Sequence, residues 1–343
     1  MTEPRRDLIN ETEIHIYHCI SRCVRRTRLC GFDKESGRDY THRRFWMLAR
    51  LSELADIFTI DICNFAIMEN HFHLILRNRP DLAAQLRPAD IAKRWLKLYP
   101  KRRNAHGQPE TPNRAEVDAI LDQPGRVETL RGRLASISWF MKSIKEFVAR
   151  LANEEDRCTG RFWEGRFKSI ILLDEPAVLS CSVYVDLNPI RSGTNRAPEE
   201  SPFIGLGERL KNRATSSGQD NASPPTWLCP FRDRGRQMGF LDIDFDDYLA
   251  VLDWTGRKLQ AGKAGHIPED LAPILERLAV NPECWLETSA NFPARFKKAA
   301  GTVDHMDEQA KKCRRRWFQG TRSSSRSFIT NTEGIQSVKK PAQ

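Results

Sequence analysis

Met68-Glu69-Asn70-His71-Phe72-His73-Leu74-Ile75-Leu76 is the stretch on which the fold turns. Its aliphatic run, residues 74–76, predicts a buried strand, and Glu69-Asn70 predicts the turn that delivers it. Side chains on a strand alternate between faces, so His71 and His73 point one way and Phe72 points the other, into a core. Two imidazoles side by side on one sheet face can hold a divalent cation. The same pattern also describes two partly exposed histidines with no further role, so the rest of the chain has to decide.

Working outward, residues 58–68 read as a second strand directly before this one. Ile14-His15-Ile16-Tyr17-His18-Cys19-Ile20 alternates and is rich in strand formers, with Arg22, Arg25, Arg26 and Arg28 close behind. Between them, residues 38–55 have helical spacing, with Phe45, Leu48, Leu51 and Leu54 on one stripe. Beyond Pro80 the chain is basic and helical in patches, and residues 104–114 read as a loop. Residues 130–153 predict one long amphipathic helix. Residues 160–173 carry a basic, aromatic run and then an apolar strand at 170–173. Asp174 or Glu175, followed by Pro176, starts another helix that stops at Asn188-Pro189. Residues 213–225 are rich in Ser, Gly, Asn, Asp and Pro and read as a linker. Segments 240–253, 267–278 and 292–300 look helical, and the tail from Ser323 is polar enough to expect disorder.

The 343 residues suffice for one large domain or two, and 40% hydrophobic with 29% charged residues can bury a core. A net charge of +10 favours a polyanionic partner, most often nucleic acid. No stretch approaches the roughly 20 apolar residues of a membrane helix. The polar N-terminus does not read as a signal peptide. Nine cysteines without a C-x-x-C pair fit reduced thiols better than a disulfide framework or a structural zinc site.

The second reactive candidate is Tyr184. Residues four apart share a helix face, so Tyr184 and Asn188 point together. A phenol can attack phosphorus where a metal polarises the phosphate. An amide oxygen one turn away can complete a metal site begun by two histidines. The plainer readings are a packing tyrosine and an asparagine that ends a helix before Pro189. Aromatic and basic residues interleave in Arg161-Phe162-Trp163-Glu164-Gly165-Arg166-Phe167-Lys168, a mix that suits single-stranded nucleic acid. The alternative is that the rings pack in the core. The run Lys311-Lys312-Cys313-Arg314-Arg315-Arg316 offers phosphate contacts or simply a solvated helix end. Asp242, Asp244, Asp246 and Asp247 read as a solvated helix start.

Four patches in order resemble the single-tyrosine HUH transposases, most closely the REP-associated tyrosine transposases. They are Tyr17-His18-Cys19-Ile20-Ser21-Arg22, then Met68 to His73, then Arg161 to Lys168, then Tyr184-Val185-Asp186-Leu187-Asn188-Pro189-Ile190-Arg191-Ser192-Gly193. The resemblance covers residues 14 to about 193. It implies an α+β fold with a ferredoxin-like central antiparallel sheet and flanking helices, followed here by a mainly helical C-terminal region. It implies that His71, His73 and Asn188 bind Mg2+ or Mn2+, and that Tyr184 attacks single-stranded DNA to give a 5′-phosphotyrosine and a free 3′-hydroxyl. Hairpin or palindromic repeats are the implied substrate. The basic and aromatic residues Arg22, Arg161, Trp163, Arg166 and Lys168, and Arg314, Arg315 and Arg316 beyond the reach of the resemblance, are the expected nucleic-acid contacts. A cytoplasmic, nucleoid-associated bacterial protein follows, with monomer and homodimer both open.

The expected division is a tail at 1–13, a catalytic domain at 14–200 with an insert at about 81–128, and a linker at 201–225. A helical accessory region at 226–320 and a disordered tail at 321–343 complete it. The insert and the overall length depart from the smallest members of the family. A domesticated, non-catalytic DNA- or RNA-binding protein on the same fold is the alternative. A metal-dependent phosphodiesterase using water is a third reading, and would need no tyrosine.

Overall fold

The computed structural model describes residues 9–24, 30–33, 37–195, 198–216, 227–232, 239–260, 275 and 280–329. Arg25, Arg26 and Arg28, most of the expected helix at 267–278 and the tail beyond Ile329 lie outside the described residues.

The chain is α+β, built on a five-stranded mixed sheet. Its first half runs β1 (Ile16–Arg22), α1 (His42–Ile57), β2 (Ile60–Ile67), β3 (His71–Asn78), α2 (Pro80–Gln85), α3 (Pro88–Leu98), α4 (Arg114–Leu121), α5 (Arg126–Leu134), α6 (Ile137–Glu155) and β4 (Lys168–Leu172). The remainder runs α7 (Glu175–Asp186), α8 (Asn188–Arg191), α9 (Gly205–Ser216), α10 (Phe245–Gln260), α11 (Trp285–Arg295), β5 (Ala299–Ala300), α12 (Val303–Lys312) and α13 (Thr321–Ser327).

Strand order is β2-β3-β1-β4-β5. The first four strands pair antiparallel and, with α1 and α6, form the β-α-β-β-α-β unit of the ferredoxin-like fold. The sheet is not wholly antiparallel, because β5 joins β4 in parallel, with Ile171 opposite Ala299 and Leu172 opposite Ala300.

Period-two alternation divides the core in two. Phe72, Leu74 and Leu76 of β3, with Tyr17 and Cys19 of β1, face a layer made by α1, α6 and the insert helices. Ile75, Ile170 and Leu172 face the other way, against α7, α10 and α11. The expected insert supplies Ile91, Trp95 and Ile120 to the first layer. It therefore builds on the helical face, away from the histidines.

Helix α7 is the centre of the second layer. Every residue from Pro176 to Asp186 is buried, as suits a helix apolar on all sides. Its serines are satisfied locally: Ser180 and Ser182 donate to the carbonyls of Pro176 and Val178, each at 2.8 Å. Asp174 is the N-cap, accepting from the Ala177 N–H.

Several expectations are corrected. On α1 the buried stripe is Arg43, Met47, Leu51 and Leu54, whereas Phe45 is 52% exposed. Arg43 is buried because Glu155 and Asp156, at the end of α6, neutralise it at 2.7 and 2.5 Å. Residues 130–153 form parts of two helices, since Ser136 caps α6 by accepting from the Trp139 N–H. Residues 299–300 are strand, because pairing with β4 overrides their helical composition. Part of the expected linker is α9, and Gly205 begins it so close to β2 that a Cβ there would lie 1.9 Å from Asn64 Oδ1. The start of the expected disordered tail is α13, with Ser324 and Ser327 buried and Phe328 stacked on Phe296 at 5.7 Å. Since β5 extends the sheet and α11 packs on α7, the region after residue 226 shares the core of the first part.

Candidate active site

Hydrogen bonding between β1 and β3 places Arg22 opposite His71 and Ile20 opposite His73. The second sheet face therefore carries His71, His73 and, from β1, His18. Helix α7 crosses that face and presents Tyr184. The phenol ring meets His73 edge-on at 5.5 Å and His18 at 6.0 Å. Thus His71, His73 and Tyr184 are brought together on one sheet face across more than a hundred residues of chain.

The two histidines of the strand are held differently. The His71 ring nitrogen Nδ1 donates to the Asn70 amide oxygen at 2.6 Å, which leaves Nε2 with its lone pair. His73 is buried, its Nδ1 lies 2.9 Å from His18 Nε2, and its own Nε2 is buried without a partner. The His71 and His73 rings are 4.9 Å apart with planes at 79°. Burial, with a small contribution from Arg22, pushes His71 down to about 4. Burial drives His73 well below the usual range, helped by His18, His71, Arg191 and Arg22. Burial alone pushes His18 down to about 3. All three rings are therefore neutral at pH 7, the state in which imidazole can ligate a metal.

Asn188 opens α8 and is buried; its side-chain N–H donates to the Tyr184 carbonyl at 3.4 Å, leaving the amide oxygen outside that bond. Among the described residues, no group of three or more His, Cys, Asp or Glu side chains is gathered closely enough to hold a metal. A cation at the paired histidines would therefore need another oxygen donor, and Asn188 has the right chemistry. The orphaned Nε2 of His73 is the observation that fits such a group. The acidic residues 242–247 do not compete: Arg232 pairs with Asp242 and Asp244, and Arg213 with Asp246.

Three neighbours were not anticipated. His18 touches both His73 and Tyr184, and its alternation with the core residues Tyr17 and Cys19 was the available signal. Arg191 lies over the Tyr184 ring at 4.8 Å and is exposed. Asp186 is fully buried and accepts from Asn64 at 2.9 Å, Tyr248 at 2.5 Å and the Leu206 N–H at 3.2 Å. This latch ties the end of α7 to β2 and α10, and so fixes where Tyr184 stands.

The expected nucleic-acid contacts divide. Arg22, Arg161, Arg166 and Lys168 are exposed at the same end of the sheet as His71. Lys142, Lys145, Arg161, Trp163, Arg166 and Phe167 line a groove of about 500 Å³ there. Trp163 is no open stacking platform: it is 9% exposed, its indole N–H donates to the Lys145 carbonyl, and its ring edges Phe72 and Phe162. The run 314–316 ends α12 in a Schellman turn, with Arg314 left-handed (φ 53°) and the Arg315 N–H bonded to the Ala310 carbonyl. Arg314 and Arg316 are exposed there, while Arg315 lies over Phe318.

No known family profile matches this sequence, and no curated protein sequence does. Among solved structures, the chain is similar to a REP-associated tyrosine transposase bound to a REP hairpin, at 14% identity and a TM-score of 0.35, over 71% of this chain and 100% of the other. That is a distant structural likeness and assigns no chemistry to any residue here. No helix of the described residues is long and apolar enough to cross a membrane.

Proposed function

We propose that this chain cuts and rejoins single-stranded DNA at hairpin-forming repeats through a 5′-phosphotyrosine on Tyr184, using Mg2+ or Mn2+ held by His71, His73 and Asn188. One observation carries the reading: Tyr184 stands 5.5 Å from His73 on the sheet face that bears both histidines. The sequence resemblance supplies the reaction class.

When bound, the cation neutralises charge on the scissile phosphate. The residues of the chain do the rest. The Tyr184 hydroxyl has no hydrogen-bond partner among the described residues, so it is available to attack phosphorus. The Oη–P bond forms as the P–O3′ bond breaks; the phenol loses its proton and the 3′-oxygen gains one. A second 3′-hydroxyl then attacks the tyrosyl phosphodiester and returns the phenol. One phosphodiester replaces another at each step, so no ATP is consumed. Arg191 over the tyrosine ring and Arg22 beside His71 supply positive charge for the phosphate. Arg161, Arg166, Lys168, Arg314 and Arg316 provide sequence-independent backbone contacts.

The test is incubation with end-labelled single-stranded hairpins and Mn2+, followed by a denaturing gel. The reading predicts a labelled band at the mass of the protein plus the 5′-phosphorylated fragment, absent in Tyr184→Phe. Cleavage by Tyr184→Phe at the wild-type rate would contradict it and favour a water nucleophile.

A further inference from the structure

We infer that His18 is a positioning residue that fixes His73 in the tautomer whose Nε2 carries a lone pair. This rests on the reading of His73 as a metal ligand.

The 2.9 Å contact between His18 Nε2 and His73 Nδ1 requires one hydrogen between two neutral rings. Either His73 donates from Nδ1, which leaves its Nε2 bare, or His18 donates, which puts the His73 proton on Nε2. Both arrangements leave one buried N–H without an acceptor, because His18 Nδ1 and His73 Nε2 both lack partners. Counting hydrogen bonds therefore does not decide between them. Surroundings do. His73 sits in the positive field of Arg191 and Arg22, where a lone pair is favoured and the positive end of an N–H is not. His18 instead meets the Phe292 ring at 6.3 Å and 60°, and a ring is a weak acceptor for N–H.

The neighbouring histidine shows the same outcome by another device. His71 must donate from Nδ1 because its partner, the Asn70 oxygen, can only accept. With His18 accepting from His73, both rings of the strand keep a bare Nε2. Hydrogen bonding at one imidazole nitrogen sets what the other can bind, and losing such a partner typically lowers metal affinity 10- to 100-fold. An imidazole without this constraint favours the proton on Nε2, the nitrogen that has to be free.

The experiment is long-range 1H–15N spectroscopy of the histidine rings in metal-free full-length protein, with His73 assigned by comparison with His73→Gln, together with Mn2+ titration. The inference predicts a protonated Nδ1 and a bare Nε2 on His73. His18→Phe should move the proton toward Nε2 and weaken Mn2+ binding roughly 10- to 100-fold. His18→Gln, whose amide oxygen can accept, should restore affinity to within a few-fold. A proton on His73 Nε2 in the wild type overturns the inference. So does unchanged affinity in a folded His18→Phe, or a loss in His18→Gln as large as in His18→Phe. If His18→Phe does not fold, the wild-type spectrum and His18→Gln still decide. A wild type with the expected tautomer but no Mn2+ binding would sustain the hydrogen-bond assignment and remove the metal reading instead.

Discussion

Tyr248→Phe isolates the latch that sets helix α7 and, with it, Tyr184. The change keeps the ring volume of a fully buried residue and removes one hydroxyl, 2.5 Å from the Asp186 carboxylate. Asn64 and the Leu206 N–H remain as donors. A hydrogen bond to a charged group contributes about 1.5–3 kcal/mol, so the variant should lose about 2 kcal/mol at pH 7. The pH dependence adds a second, independent sign. Burial raises Asp186 above the ordinary value of 3.8, while Tyr248, Asn64, the Leu206 N–H and Arg209 oppose the rise. A carboxyl raised in the folded state stabilises fully below 3.8, and that contribution is lost as pH climbs through the folded value. Removing the Tyr248 donor raises the folded value further, so the variant loses more on the same climb. Denaturant unfolding of both proteins should show a deficit of about 2 kcal/mol at pH 7 that shrinks as the pH falls through the folded value of Asp186, toward the state in which a neutral acid faces a neutral phenol. A deficit under about 0.5 kcal/mol at pH 7, or one that grows on acidification, would refute the latch.

His71→Ala and His73→Ala should each abolish nicking while single-stranded DNA binding stays within a few-fold, measured by anisotropy; full nicking by the double variant in Mg2+ would remove the metal role. Acid should destabilise the metal-free protein, because His18 and His71 titrate near 3 and 4 when folded and at 6.5 when unfolded. Their contribution is complete above 6.5 and is lost as pH falls, about 2 kcal/mol for each by pH 5, so flat stability between pH 7 and 5 would contradict the burial of these rings. A chain ending at residue 215 should show no cooperative melt, since it lacks Trp285, Phe292 and Phe296, all fully buried around α7. Each such aromatic is worth about 3–5 kcal/mol, against a total stability of about 5–15 kcal/mol. A folded, nicking-competent truncation would show that the first 215 residues suffice.

The four-stranded core was legible because its signals are local. His71-Phe72-His73 and the aliphatic run after it fix a strand and its faces, and Asp174 with Pro176 fixes the start of α7. The pairing of His71 and His73 with Tyr184 came from the order of the motifs, and the structure brings those three together. What stayed hidden depends on long-range contact. Ala299-Ala300 has no strand composition and becomes β5 only because the edge of β4 is there to pair with. Arg43 reads as a solvent residue until Glu155 and Asp156 arrive from α6. Trp163 looked like a base-stacking ring, yet Phe72 and the Lys145 carbonyl claim it for the core. His18 was in view as part of a motif, but its role depends on a register that sets two strands side by side.

The most direct measurement is the identity of the residue that carries DNA after cleavage. Wild-type protein is trapped on a single-stranded hairpin in Mn2+, digested, and its peptides are sequenced by mass spectrometry. Tyr17 and Tyr248 are fully buried and Tyr99 is 38% exposed, so the other tyrosines span the range of accessibility. The account predicts a nucleotide on the peptide containing Tyr184 and on none containing Tyr17, Tyr40, Tyr99 or Tyr248. A nucleotide on one of those four, or no adduct during active cleavage, would contradict it.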